Sequence, residues 1–88
     1  MAELIHEHST SIRTPDGERF IARIYGAQRN DGTWEGWLEF VPLTGKAPVL
    51  RTERETTQPN RGAVAYWADG LEPIYLEGAF NRAQLVTG

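Results

Sequence analysis

The sequence contains no cysteine. Disulfides, thiolate metal sites and a cysteine nucleophile are therefore excluded. No apolar run approaches the roughly 18 residues of a membrane-crossing helix, and the chain is read as having no membrane contact. No block of like charges forms an acidic or basic tail, and no repeat or low-complexity stretch is present. The glycine-rich patterns that cradle phosphates, Gly-x-x-x-x-Gly-Lys-Ser/Thr and Gly-x-Gly-x-x-Gly, do not occur. Nor does the Gly-x-Ser-x-Gly elbow that presents a catalytic serine. The opening residues Met1 to His8 carry neither a basic segment nor an apolar one. They do not read as a signal peptide, and a cytoplasmic chain is expected.

What is present fits one small domain. The 88 residues are too few for two cores. The expected domain is 1–88, with its first and last few residues loose. The net charge is −3, and all of it sits in residues 1–44, where four Arg face seven Asp and Glu. In residues 45–88, five basic residues balance five acidic ones. Net acidity opposes a protein held to nucleic acid through phosphate contacts.

Turn signals divide the chain. Thr14-Pro15-Asp16-Gly17 places Pro where its fixed φ suits a turn and Gly where φ must be positive. Arg29-Asn30-Asp31-Gly32 is a second hairpin signal. Pro42 to Pro48 forms a third, looser turn. Strands are expected near 4–13, 18–28, 33–42 and 48–56. After them Ala63, Val64, Trp67 and Ala68 recur at helical spacing, and Gly70 follows as a stop. The helix is placed at 58–69, with Trp67 its main anchor into the sheet. Ile74, Leu76, Gly78 and Phe80 then alternate with Tyr75, Glu77, Ala79 and Asn81, which reads as a last strand at 74–82. The expected fold class is α+β. It is an antiparallel sheet built as a meander of about four strands, one helix and one final strand, β-β-β-β-α-β. An SH3-like small barrel is the alternative.

Alternation also sorts the side chains. Phe20, Ala22, Ile24 and Gly26 share one face of the second run, and Trp34, Gly36, Leu38 and Phe40 share one face of the third. These sets are the expected core face. A missing side chain at Gly36 or Gly78 would admit a bulky neighbour such as Trp67. The opposite face then carries Arg23, Tyr25, Glu35, Trp37, Glu39, Tyr75 and Glu77. Three large aromatics among charges exceed what a merely solvated face needs. Trp, Tyr and Arg are also the residues that dominate contact hot spots. Trp37, Tyr25, Tyr75 and Arg23 are therefore the candidate binding residues.

Other constellations carry less. His6 and His8 stand two apart on a strand and could chelate one metal, but the sequence names no third ligand. Ser9 and Ser11 point away from both imidazoles. Thr10 shares their side with no acid to orient a base. Glu35 and Glu39, four residues apart on a strand, are separated by roughly 13 Å. That is too far for a glycosidase pair, and their expected role is cross-strand pairing with Arg23 or Arg51.

At Trp34-Glu35-Gly36-Trp37-Leu38-Glu39-Phe40, and again from Tyr66 to Ala79, the chain resembles a family of short bacterial proteins of unknown function. The resemblance spans roughly 18–83. It implies a bacterial, stand-alone domain and brings no activity, ligand or catalytic residue.

The sequence thus favours a small non-catalytic domain, with no cofactor, that meets a protein partner or a second copy through its aromatic sheet face. Single-stranded nucleic acid stacked on the same rings, with Arg23, Arg51 and Arg54 at phosphates, is the second reading. Glu35, Glu39, Glu77 and the net charge oppose it. Metal binding through His6 and His8 is the third.

Overall fold

Three long strands and two helices dominate the computed structural model, which describes residues 1–86. The strands are β1 (Glu3–Arg13), β2 (Arg19–Gln28) and β3 (Trp34–Pro42). Two short strands follow, β4 (Leu50–Arg51) and β5 (Thr56–Gln58). Next come the helices α1 (Arg61–Asp69) and α2 (Pro73–Arg82), and last β6 (Gln84–Leu85). All pairings are antiparallel, in the order β1-β2-β3-β4-β6, with β5 beside β4 on β3. The fold is α+β with an open sheet, so the barrel alternative does not apply. The expected loose C-terminus falls partly on Thr87 and Gly88, which lie outside the described residues.

Both hairpin turns form where their signals stand. Gly17 and Gly32 adopt φ of +91° and +89°, a region that strains any residue with a Cβ. The Gly17 N–H donates to the Thr14 carbonyl at 3.0 Å, and the Gly32 N–H to the Arg29 carbonyl at 2.9 Å. The Thr14 and Thr33 hydroxyls donate to Asp16 and Asp31. Those bonds hold both carboxyls below their ordinary pKa.

The fourth expected strand is interrupted. Glu39 faces Arg51 and Gly36 faces Thr56, so two residues of β3 span four of its partner. The excess forms a bulge at 52–55. Within it the Thr52 hydroxyl accepts the Leu38 N–H at 3.0 Å, while the Thr52 N–H donates to the Leu38 carbonyl at 2.9 Å. A side chain thus replaces one rung of the ladder, and Thr52 is the one buried polar residue among those described.

Segment 74–82 corrects the sequence reading, because it is helical. Pro73 stands in the first turn, where its missing N–H costs nothing. Leu76 and Ala79 are buried, with Tyr75, Phe80 and Ala83 packed beside them. This is a helical stripe that also mimics a period of two. Ile74, expected inside, is 78 % exposed. The returning strand exists, but as β6. Helix α1 starts later than expected, with Asn60 as N-cap accepting the Ala63 N–H at 2.8 Å.

Both helices cover one face of the sheet. Its core is Phe20, Ala22, Ile24, Leu38 and Phe40 against Ala68, Leu76 and Ala79. Phe80 wedges between Phe20 and Phe40, with ring centroids 5.0 and 5.2 Å away. Full burial of Ile24, Leu38, Phe40 and Val64 stabilises by about 1.5–3 kcal/mol each. Gly36 lets α1 approach. A Cβ there would stand 3.1 Å from Thr56 Cγ2, 3.2 Å from Val64 Cγ1 and 3.6 Å from Trp67 Cζ3. The expected partnership of Gly36 with Trp67 therefore holds, and that of Gly78 does not, since Gly78 lies in α2. Val64 and Ala68 are the fully buried anchors of α1, while Trp67 is half-buried. Among the described residues no helix is long and apolar enough to cross a membrane.

Candidate functional site

The other face of the sheet carries no helix. Alternation along β2 and β3 places Ile21, Arg23, Tyr25 and Ala27 there beside Val41, Glu39, Trp37 and Glu35, and all eight are half-buried. The antiparallel register aligns them in rows that run across the strands. One row is aliphatic, Ile21 opposite Val41. The next is charged and crosses four strands, Glu7, Arg23, Glu39 and Arg51. A third sets Leu4, Tyr25 and Trp37 side by side.

The charged row is joined by ion pairs. Arg23 Nε donates to Glu7 Oε1 at 2.8 Å, and Arg51 Nη2 stands 3.0 Å from Glu39 Oε2. The bond from Glu7 raises the Arg23 pKa above its ordinary value. Exposed pairs of this kind contribute about 0–1 kcal/mol each. Their main effect here is to fix where each charge stands. In the aromatic row, Tyr25 and Trp37 stack at 6.4 Å with 17° between their planes. The Arg51 guanidinium lies 5.9 Å from the Trp37 ring centroid. The Trp37 indole N–H is shielded from solvent and has no acceptor among the described residues. Beside it a shallow hollow of about 500 Å³ is lined by Arg51, Arg54 and Arg82 together with Glu35, Glu53 and Trp37.

The sequence placed Trp37, Tyr25 and Arg23 together, and they do meet. Tyr75 does not join them, because it belongs to α2 rather than to a strand. Its ring stands edge-on to Trp67 at 6.0 Å, with the Arg82 guanidinium 5.7 Å from its centroid. Its hydroxyl and Arg82 both donate to Glu55 Oε1 at 2.5 Å. Burial first, and then the Glu55 carboxylate, push the Tyr75 pKa up to about 12. Glu77 leaves the face for the same reason. Glu7 was missed, since irregular register in β1 hides its side of the sheet from simple alternation. Of the pairings expected for Glu35 and Glu39, the one between Glu39 and Arg51 forms.

The histidines lie on the helix-covered side. His6 and His8 meet edge-on at 4.6 Å, and His8 Nε2 donates to the Ala68 carbonyl at 2.9 Å. That bond leaves only Nδ1 of His8 as an acceptor. Among the described residues no three His, Asp or Glu converge on a metal position. A second hollow, of about 420 Å³, opens between the end of β1 and α2 over Ile12, Leu76 and Phe80.

No family model, curated protein or solved structure matches the chain.

Proposed function

We propose that the chain is a small non-catalytic interaction domain whose uncovered sheet face is a contact surface for protein. The observation that carries this reading is the Tyr25–Trp37 stack, half-buried on the face that, among the described residues, neither helix covers. Ile21 and Val41 continue the apolar surface on the far side of the charged row. Trp, Tyr and Arg give the most binding free energy per residue at protein contacts. Nucleic acid draws less support, because Arg23 and Arg51 are each paired with a carboxylate of the same face. A polyanion there would also meet the like charge of Glu7 and Glu39.

The test is site-specific photo-crosslinking in the producing cell. A photoreactive phenylalanine analogue replaces Val41 on the face or, as control, Tyr66 on the exposed side of α1. Adducts with protein are expected from position 41 and should vanish when Trp37→Ala is added. Absence of any protein adduct from position 41 overturns the reading.

A further inference from the structure

We infer that the occupant of this face is a second copy of the chain, docked sheet to sheet about a two-fold axis that runs along the strands between β2 and β3. The inference rests on the interaction-domain reading above. Its own ground is the order of charges. Glu7, Arg23, Glu39 and Arg51 alternate in sign across four adjacent strands. An alternating row of even length is complementary to its own reverse. An axis along the strands, between β2 and β3, performs that reversal on the facing copy. Arg23 then lies over the partner's Glu39, Glu39 over the partner's Arg23, and Glu7 over the partner's Arg51.

The same axis leaves positions along the strands unchanged, so the other rows also meet themselves. Tyr25 falls over the partner's Trp37, and Ile21 over the partner's Val41. In these three rows charge meets opposite charge, ring meets ring, and aliphatic meets aliphatic, while Glu35 at the end of β3 falls over the partner's Ala27. An axis across the strands along the charged row would instead set Glu7 on Glu7 and Arg23 on Arg23. The pattern therefore selects one two-fold arrangement and rejects the other. This is the self-complementarity that an isologous interface requires.

Dimensions permit it. Face-to-face sheets lie within about 30° of each other. The outer members of the row stand about 7 Å from its centre, so this rotation displaces them by roughly 4 Å. Arg and Glu side chains span that distance. β1, β2 and β3, of nine to eleven residues each, with Arg51 of the two-residue β4 beside them, present roughly 15–20 by 30 Å, somewhat less than the ~800 Å² each partner contributes to a standard interface. Paired guanidinium and carboxylate groups retain free donors and acceptors for the partner.

The experiment is sedimentation equilibrium on the whole chain with charge-reversed variants. The wild type is expected to be a dimer. Arg23→Glu puts like charge against the partner's Glu39 twice, and Glu39→Arg does so against the partner's Arg23. Each alone should raise the dissociation constant at least about tenfold. An equal mixture of the two should re-form a dimer, because each chain now faces its opposite, and the double variant should dimerise by itself. Trp37→Lys, which keeps the row intact, should also be monomeric. Circular dichroism confirms that each variant is folded.

A wild type that stays monomeric at millimolar concentration overturns the inference. So does a folded pair of single variants that fails to associate when mixed. If position 41 then crosslinks only to other proteins, the interaction domain stands and the self-pairing falls. If it crosslinks to nothing, both fall.

Discussion

Tyr25 and Trp37 occupy facing positions on β2 and β3 and hold their rings within 17° of parallel. The centroid distance of 6.4 Å is that of an offset stack, a geometry worth about 0.5–1.5 kcal/mol beyond area burial. Trp37→Ala removes the stack and the surface beneath Arg51. The substitution should lower stability by about 1–2 kcal/mol, seen as a lower urea midpoint with little change in slope. A loss near that of a fully buried tryptophan would mean that the ring belongs to a core.

Thr52 is more demanding than its size implies. Its hydroxyl accepts the N–H of the buried Leu38. Thr52→Val keeps the shape and removes the acceptor, and should cost about 1–3 kcal/mol. Thr52→Ser keeps the oxygen and should recover most of that loss. Hydrogen exchange at Leu38 provides the local readout, with faster exchange expected only in the valine variant.

Gly36 marks the closest approach of α1 to the sheet. Gly36→Ala would place a methyl group 3.1–3.2 Å from Thr56 and Val64, and Val64 is fully buried. A destabilisation of about 1–3 kcal/mol is expected. Val64→Ala opens room for that methyl, so the double variant should lose less than the sum of the two single losses. Additive losses in thermal unfolding would count against the contact.

Tyr75 should ionise well above the ordinary tyrosine range. Its folded pKa is raised from 10.0 to about 12, so the folded state holds the proton more tightly than the unfolded chain. The stability linked to it is complete below pH 10 and is lost as pH rises through 12. Absorbance titration of phenolate in Tyr75→Phe should lack a step near pH 12 that the wild type shows. Glu55→Gln removes the acceptor charge and should bring the Tyr75 step part of the way down, since burial remains. A wild-type titration that Tyr75→Phe leaves unchanged near pH 12 would contradict this arrangement.

The sequence was most legible where one period dominates. Along β2 and β3 only a period of two accounts for Phe20, Ala22, Ile24, Leu38 and Phe40, and these five, with Gly26 and Gly36, are the buried residues of the two strands. The Pro-Asp-Gly and Asn-Asp-Gly turns were legible because positive φ there demands glycine. Segment 74–82 was not, because its apolar residues satisfy both periods. Leu76 and Phe80 are two strand repeats apart and also one helical turn apart. Pro73, a first-turn residue of helices, was the signal that separates the two. The bulge at 52–55 has no comparable mark, since a threonine hydroxyl substituting for a backbone carbonyl depends on the depth of Thr52, which composition does not reveal. Tyr75 followed its segment away from the candidate face. Trp37, Tyr25 and Arg23 stayed because their strands were read in the right register.

The broken register of β1 has a bearing on how large an assembly can grow. Pairing slips between Leu4 and His6 and again between Glu7 and Ser11, so the outermost long strand offers no straight row of free N–H and C=O groups. At the opposite border β6 is two residues long. Neither border is a template on which further chains could stack by backbone bonding into a runaway polymer. Side chains on the broad surface are left as the means of joining, and a surface that pairs with itself is used up after one partner. Margins blunted in this way limit edge-to-edge aggregation of the fold.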